Sequence, residues 1–192
     1  MPRKSDIHHS ILIVSDSERF QTIVKKSLAG FLTIDVRKSA SHARRSILER
    51  YYNLVVIDSP LSDEIGDALA IDIAENSHTS VLVVTPQELC EDVMERVTDY
   101  GVLVMPKPFE NGRMDKAIRY LIAQQDRMLM LEKKYISLEE KMEELRLVSK
   151  AKILLVEKKQ MTEDEAHRFI GKQAMNRGIS RRKIAEEILD DV

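Results

Sequence analysis

Between Ile11 and Phe109 the chain alternates two textures. Short β-branched runs occur at 11–14 (ILIV), 32–36 (LTIDV), 54–57 (LVVI), 81–84 (VLVV) and 102–105 (VLVM). Amphipathic stretches separate them, at 19–28, 42–50, 65–74 and 89–97. Several runs are apolar throughout, the pattern of parallel strands covered on both faces. Repeated β-α units of this kind predict an α/β doubly wound, five-stranded parallel sheet over residues 1–125. In such sheets ligands bind beyond the carboxyl ends of the strands. That rule singles out Ser15, Asp16, Asp58, Thr85 and Lys107. Asp58 ends the apolar run NLVVIDSP, where an unpaired carboxylate would be costly.

After Asn111 the pattern changes to a helical one. Residues 121–159 contain no Pro or Gly, and Met128, Leu131, Tyr135, Leu138, Met142 and Leu145 alternate in steps of three and four. This is an a/d seam flanked by Glu132, Lys134, Glu139 and Lys141. It predicts a connector over 126–146 that pairs two copies of the chain through 128–145, although a helix packed on its own domain has the same periodicity. Residues 147–192 then predict a small three-helix all-α domain. Ala151, Leu154 and Leu155 continue the long helix. Thr162 and Glu165 form a capping box that opens the second helix, Gly178 closes it, and Ser180 caps a third carrying Ile184, Ala185, Ile188 and Leu189.

Composition adds boundaries. The formal net charge of −2 makes no global case for nucleic acid, so a basic surface must be local. Cys90 is the lone cysteine, which excludes an intramolecular disulfide framework and fits a reducing compartment. No apolar run approaches the ~20 residues of a membrane span, and the amino-terminal stretch lacks a signal-peptide pattern, so a cytoplasmic protein is expected. The histidines are scattered, and His8–His9 reads as a flexible surface pair. With no nucleophile triad or metal-ligand cluster in the sequence, an enzyme is not expected. The local basic surface lies between Ala166 and Lys183, where Arg168, Lys172, Arg177, Arg181, Arg182 and Lys183 occur without an acid.

Asp16, Asp58, Thr85 and Lys107, in that order at strand ends, resemble the receiver domain of two-component response regulators over about residues 8–125. Gly66, eight residues after Asp58, and the Lys107-Pro108-Phe109 run match as well. The resemblance implies Asp58 as phosphoacceptor, Mg²⁺ on Asp16 and Asp58, Thr85 and Lys107 around the phosphoryl group, and a sensor histidine kinase as partner. Four departures mark a degenerate receiver. Ser15 replaces the first of two acids, so Mg²⁺ is expected to bind weakly. Pro86 has no N–H to offer, Val104 stands where an aromatic switch is usual, and Pro60 and Ser62 alter the segment after Asp58.

The carboxy-terminal segment supports two readings. QAMNRGISRRKIA, residues 173–185, resembles a DNA-binding helix-turn-helix, with Ala174, Gly178, Ser180 and Ile184 at the bend. The longer stretch AKILLVEKKQMTEDEAHRFIGKQAMNRGISRRKIAEEIL resembles the ANTAR domain of transcription antitermination regulators, with Ile153 where a glycine is common. That resemblance implies a dimer binding tandem hairpins in nascent RNA. Its implied contacts are Lys152, Arg168, Lys172, Gln173, Asn176, Arg177, Arg181, Arg182 and Lys183, while Phe169 and Met175 fall at core spacing.

Overall fold

The computed structural model describes residues 9–28, 33–110 and 112–190, and the chain divides into two compact units, one ending at Met128 and one starting at Leu129. In the first unit the strands are β1 (Ser10–Val14), β2 (Thr33–Arg37), β3 (Leu54–Asp58), β4 (Ser80–Pro86) and β5 (Leu103–Lys107). They form one parallel sheet in the order β2-β1-β3-β4-β5. The helices are α1 (Glu18–Ser27), α2 (Ala40–Glu49), α3 (Asp67–Asn76), α4 (Cys90–Val97) and α5 (Arg113–Lys159).

Strand alternation explains the uninterrupted apolar runs. Leu12, Val14, Val55, Ile57, Val81 and Val83 point to the face covered by α2, α3 and α4, where Ala43, Leu69, Ile73 and Val93 meet them. Ile11, Ile13, Leu54, Val56, Leu82 and Val84 point to the other face, onto Phe20 and Val24 of α1 and Met114, Ile118 and Leu121 of α5. Each large apolar side chain buried this way contributes about 1.5–3 kcal/mol. The outer strands β2 and β5 are only half-buried along most of their length. Most strands lie within two residues of their predicted positions, the usual scatter of element ends. Leu32, the predicted start of β2, lies outside the described residues.

The long helix begins at Arg113, just after the change of pattern at Asn111, and Met114 and Ile118 place an apolar stripe of α5 on the sheet. One expectation is corrected here. His9 is 9% exposed, not a flexible surface residue: its Nε2 lies 2.9 Å from Asp126 Oδ1. A polar ring buried beside β1 is held by a partner far along the chain. His8 lies outside the described residues.

Gly66 has φ +100, and a Cβ there would meet Ile57 Cγ2 at 2.9 Å, so the turn into α3 requires glycine. Asp67 begins α3 and accepts from Arg96 Nη1 at 2.7 Å. Burial pushes its carboxyl up, but the Arg96 guanidinium and the amides of Asp67 and Ala68 outweigh burial and hold it below the usual aspartate range. A depressed native value contributes stability above the unfolded value, about 3.9, and loses it as pH falls through the native value. The melting-temperature gap between wild type and Asp67→Asn is therefore expected to be full at neutral pH and to close as the pH falls through the depressed native value, below the ordinary aspartate range. A gap that does not change with pH would contradict this.

The second unit holds the later part of α5 with α6 (Glu163–Arg177) and α7 (Arg181–Asp190). Ala151 and Leu155 pack with Ala166, Ile170 and Ala174 of α6 and Ile184 and Ala185 of α7. The alanines let three helices approach closely. The capping box is present: Thr162 Oγ1 accepts from Glu165 N at 3.3 Å, and Glu165 Oε2 accepts from Thr162 N at 2.8 Å. Gly178 closes α6 at φ 63, and Ser180 Oγ accepts from Lys183 N at 3.2 Å to cap α7. Met175 corrects the sequence reading. It is 77% exposed, because Ala174 occupies the core position one residue earlier. Phe169 is half-buried against the core.

Candidate functional site

The parallel register brings the ends of β1, β3, β4 and β5 together on one edge of the first unit. Asp58 closes β3 and is 8% exposed. Both of its oxygens are engaged. Ser15 Oγ donates to Oδ2 at 2.5 Å, and the Lys107 ammonium pairs with Oδ1. Lys107 Nζ also donates to the Ser59 carbonyl at 2.7 Å and lies 5.6 Å from the Phe20 ring centre. Ser17 N donates to Ser15 Oγ at 3.0 Å, which fixes the hydroxyl's orientation. The Ser59–Pro60 and Lys107–Pro108 peptides are cis.

Thr85 lies in β4 and is fully buried; among the described residues its Oγ1 has no hydrogen-bond partner, and neither does the buried Ser59 Oγ. Orphaned buried hydroxyls of this kind are uncommon. Asp16 is exposed and takes part in none of the bonds around Asp58. Val104 in β5 packs against the α2–α4 side of the core. Ser15 is the residue that sequence reasoning undervalued: it is a missing acid and also a donor to Asp58.

A hard divalent cation takes several oxygen ligands and holds near-octahedral geometry when it is Mg²⁺. Here the Asp58 carboxylate already engages Lys107 and Ser15, and the second carboxylate, Asp16, is exposed. Among the described residues no group of three or more His, Cys, Asp or Glu could hold a metal ion. A cation at this edge would have two carboxylates and would have to compete with the Lys107 ammonium for one of them.

In the second unit the basic residues separate into two sets. Lys152 pairs with Glu163 at 2.7 Å, Arg182 with Glu186 at 2.8 Å, and Arg177 makes a two-pronged pair with Glu187. Bonding to Lys152 and to Arg177 lowers the Glu163 and Glu187 carboxyls below the usual range. Arg168 Nε donates to the Asp164 carbonyl at 3.2 Å. The Arg181 guanidinium lies alongside Gly171 of α6. Lys172, Asn176, Arg181 and Lys183 are exposed without an ion pair among the described residues, and Gln173 is half-buried beside them. No helix among the described residues is long and apolar enough to cross a membrane.

A five-stranded parallel sheet with Asp58 and Lys107 at its carboxyl edge, followed by a three-helix module, defines a response-regulator architecture. The first unit is similar in fold to the signal receiver domain of an HD domain-containing protein from Pseudomonas fluorescens Pf-5. That similarity has TM-score 0.58 at 18% identity and covers 64% of this chain and 93% of that one. Residues 137–189 match the ANTAR domain. The transcriptional regulatory protein PdtaR of Mycobacterium tuberculosis is 30% identical over 72% of this chain and 67% of its own. The protein PetR of Rhodobacter capsulatus is 31% identical over 67% of this chain and 54% of its own. The chain belongs to the family of ANTAR-type response regulators, a receiver domain joined to an ANTAR domain.

Proposed function

We propose that the chain works as a homodimer that holds paired hairpins in nascent RNA and so keeps a transcription terminator from forming. The observation that carries the reading is the solvent-exposed seam on α5. Met128, Leu131, Tyr135, Leu138, Met142 and Leu145 are between 51% and 71% exposed and share one face. An apolar stripe of that length left in water marks an interaction surface, and its three-four spacing suits a second copy of the same helix. A two-fold dimer carries two ANTAR modules, matched to two hairpins. Hairpin loops present unstacked bases, while exposed lysines and arginines hold phosphates.

The reading is tested by shift assays at matched salt with tandem-hairpin RNA and duplex DNA. Preference for the RNA, lost when one hairpin is deleted, is the expected result. Tight preference for duplex DNA would favour the helix-turn-helix alternative and overturn antitermination.

The receiver acts in this reading as a metal-free scaffold and not as a phosphoswitch. Ser15 and Lys107 hold Asp58 in place, and Pro86 removes an amide from the pocket. Millimolar Mg²⁺ is expected to leave the melting temperature of the wild-type chain unchanged. Ser15→Asp places a second carboxylate beside Asp58, so it is expected to melt lower without Mg²⁺ and to recover when the cation is added. A wild-type chain stabilised by Mg²⁺, or phosphorylated on Asp58 by a small phosphodonor, would refute the scaffold role.

A further inference from the structure

Where α5 gives way to α6, an open groove of about 480 Å³ is lined by Phe169, Lys159, Arg168, Lys172, Gln160 and Met161. Two observations mark it out on the module. First, its cations have no ion-pair partner. Lys159, Arg168 and Lys172 have no carboxylate partner among the described residues, whereas Lys152, Arg177 and Arg182 are held by glutamates. Arg168 Nε bonds only the Asp164 carbonyl. A phosphate arriving at a paired cation must displace a carboxylate; in the groove it meets no paired carboxylate. Glu165 also borders the groove, but its carboxylate is turned into the capping box with Thr162.

Second, the Phe169 ring is half-buried, anchored on the module's core, with the Lys159 ammonium 5.9 Å from its centre. A ring face that a solvent-borne cation can reach is open to a flat nucleobase, which the same π-surface attracts. Gln160, directly after the last residue of α5, has φ 56, the left-handed conformation in which helices commonly end, and it turns the chain towards α6.

We propose that this groove takes one unstacked nucleotide of an RNA hairpin loop. The base stacks on Phe169 in the place of the Lys159 head, and the flanking phosphates lie on Lys159, Arg168 and Lys172. The proposal rests on the RNA-binding reading above. It moves the recognition surface away from Arg177 and Arg182 and gives Phe169 a role besides packing.

The test uses the full chain and a library of RNA hairpins with randomised loops. Phe169→Leu keeps an apolar side chain on the core but removes the aromatic face, and is expected to bind the selected hairpins about ten-fold or more weakly. Phe169→Tyr is expected to stay within about two-fold of wild type, because the ring remains. The Lys159→Gln, Lys172→Gln pair is expected to flatten the salt dependence by about one to two logarithmic units per unit of log salt. Thermal melts accompany each variant. Should Phe169→Leu unfold, photo-cross-linking the wild-type chain to 4-thiouridine-substituted hairpins decides: a cross-link in the 159–172 segment supports the groove, and cross-links confined to α7 overturn it. A folded Phe169→Leu that binds like wild type overturns the groove and leaves RNA binding intact. A wild-type chain that selects no hairpin overturns both.

Discussion

Replacing Leu131 and Leu138 together by glutamate is expected to leave the chain monomeric and to weaken tandem-hairpin RNA binding by about 10²–10⁴-fold, the usual contribution of linking two binding events. Both residues sit at d positions of the α5 seam and are exposed in the single chain. In a monomer the substitutions place charges in water at little cost. In a dimer they set four carboxylates into an apolar interface, where unpaired charge is strongly disfavoured. The effect should therefore fall on association and not on folding. Sedimentation gives the mass, and binding to a single hairpin should remain near wild type. A variant that stays dimeric, or a monomer that holds tandem hairpins as tightly as wild type, would refute the seam or the avidity argument respectively.

Lys107→Ala is expected to destabilise the receiver unit by about 2 kcal/mol, less than the 3–5 kcal/mol typical when a fully buried ion pair loses one partner. The discount follows from exposure: the Lys107 side chain is 30% exposed, and the Asp58 side chain only 10%. Removing the lysine strands the buried carboxylate with Ser15 as its sole donor. Asp58→Asn should cost less, about 1 kcal/mol, because the remaining ammonium keeps the Ser59 carbonyl and reaches water. The double variant should then be little worse than Lys107→Ala, a coupling readable from a double-mutant cycle by denaturant unfolding. Strict additivity would show that the two residues do not stabilise one another.

What the sequence made legible follows from local rules. The β-branched runs reported strands because the central ones, β1, β3 and β4, are covered on both faces. Thr162, Glu165, Gly178 and Ser180 reported helix ends because caps act within a few residues. Asp58 and Lys107 were placed at strand ends, and the parallel register does bring them together. The rest depended on partners far along the chain or on another helix. His9 is buried against Asp126, 117 positions away, a pairing that no local pattern encodes. Arg177 and Glu187 meet across the α6–α7 turn, so residues that read as free RNA contacts are neutralised within the module. Met175 shows the same limit from the other side. A core spacing on α6 fitted it as well as Phe169, which does pack on the core, but Ala174 holds the core position and Met175 faces water. Ser15 read as an absence, whereas its hydroxyl is half of what holds Asp58.

The account stands most directly on what the dimer holds. Purifying the full chain from its native host under mild salt, and sequencing the nucleic acid that comes with it, is the decisive measurement. It is expected to return RNA with two neighbouring hairpins ahead of terminators, enriched over the Leu131→Glu, Leu138→Glu variant. Recovery of promoter DNA instead, or of RNA without paired hairpins at equal yield from both proteins, would contradict it.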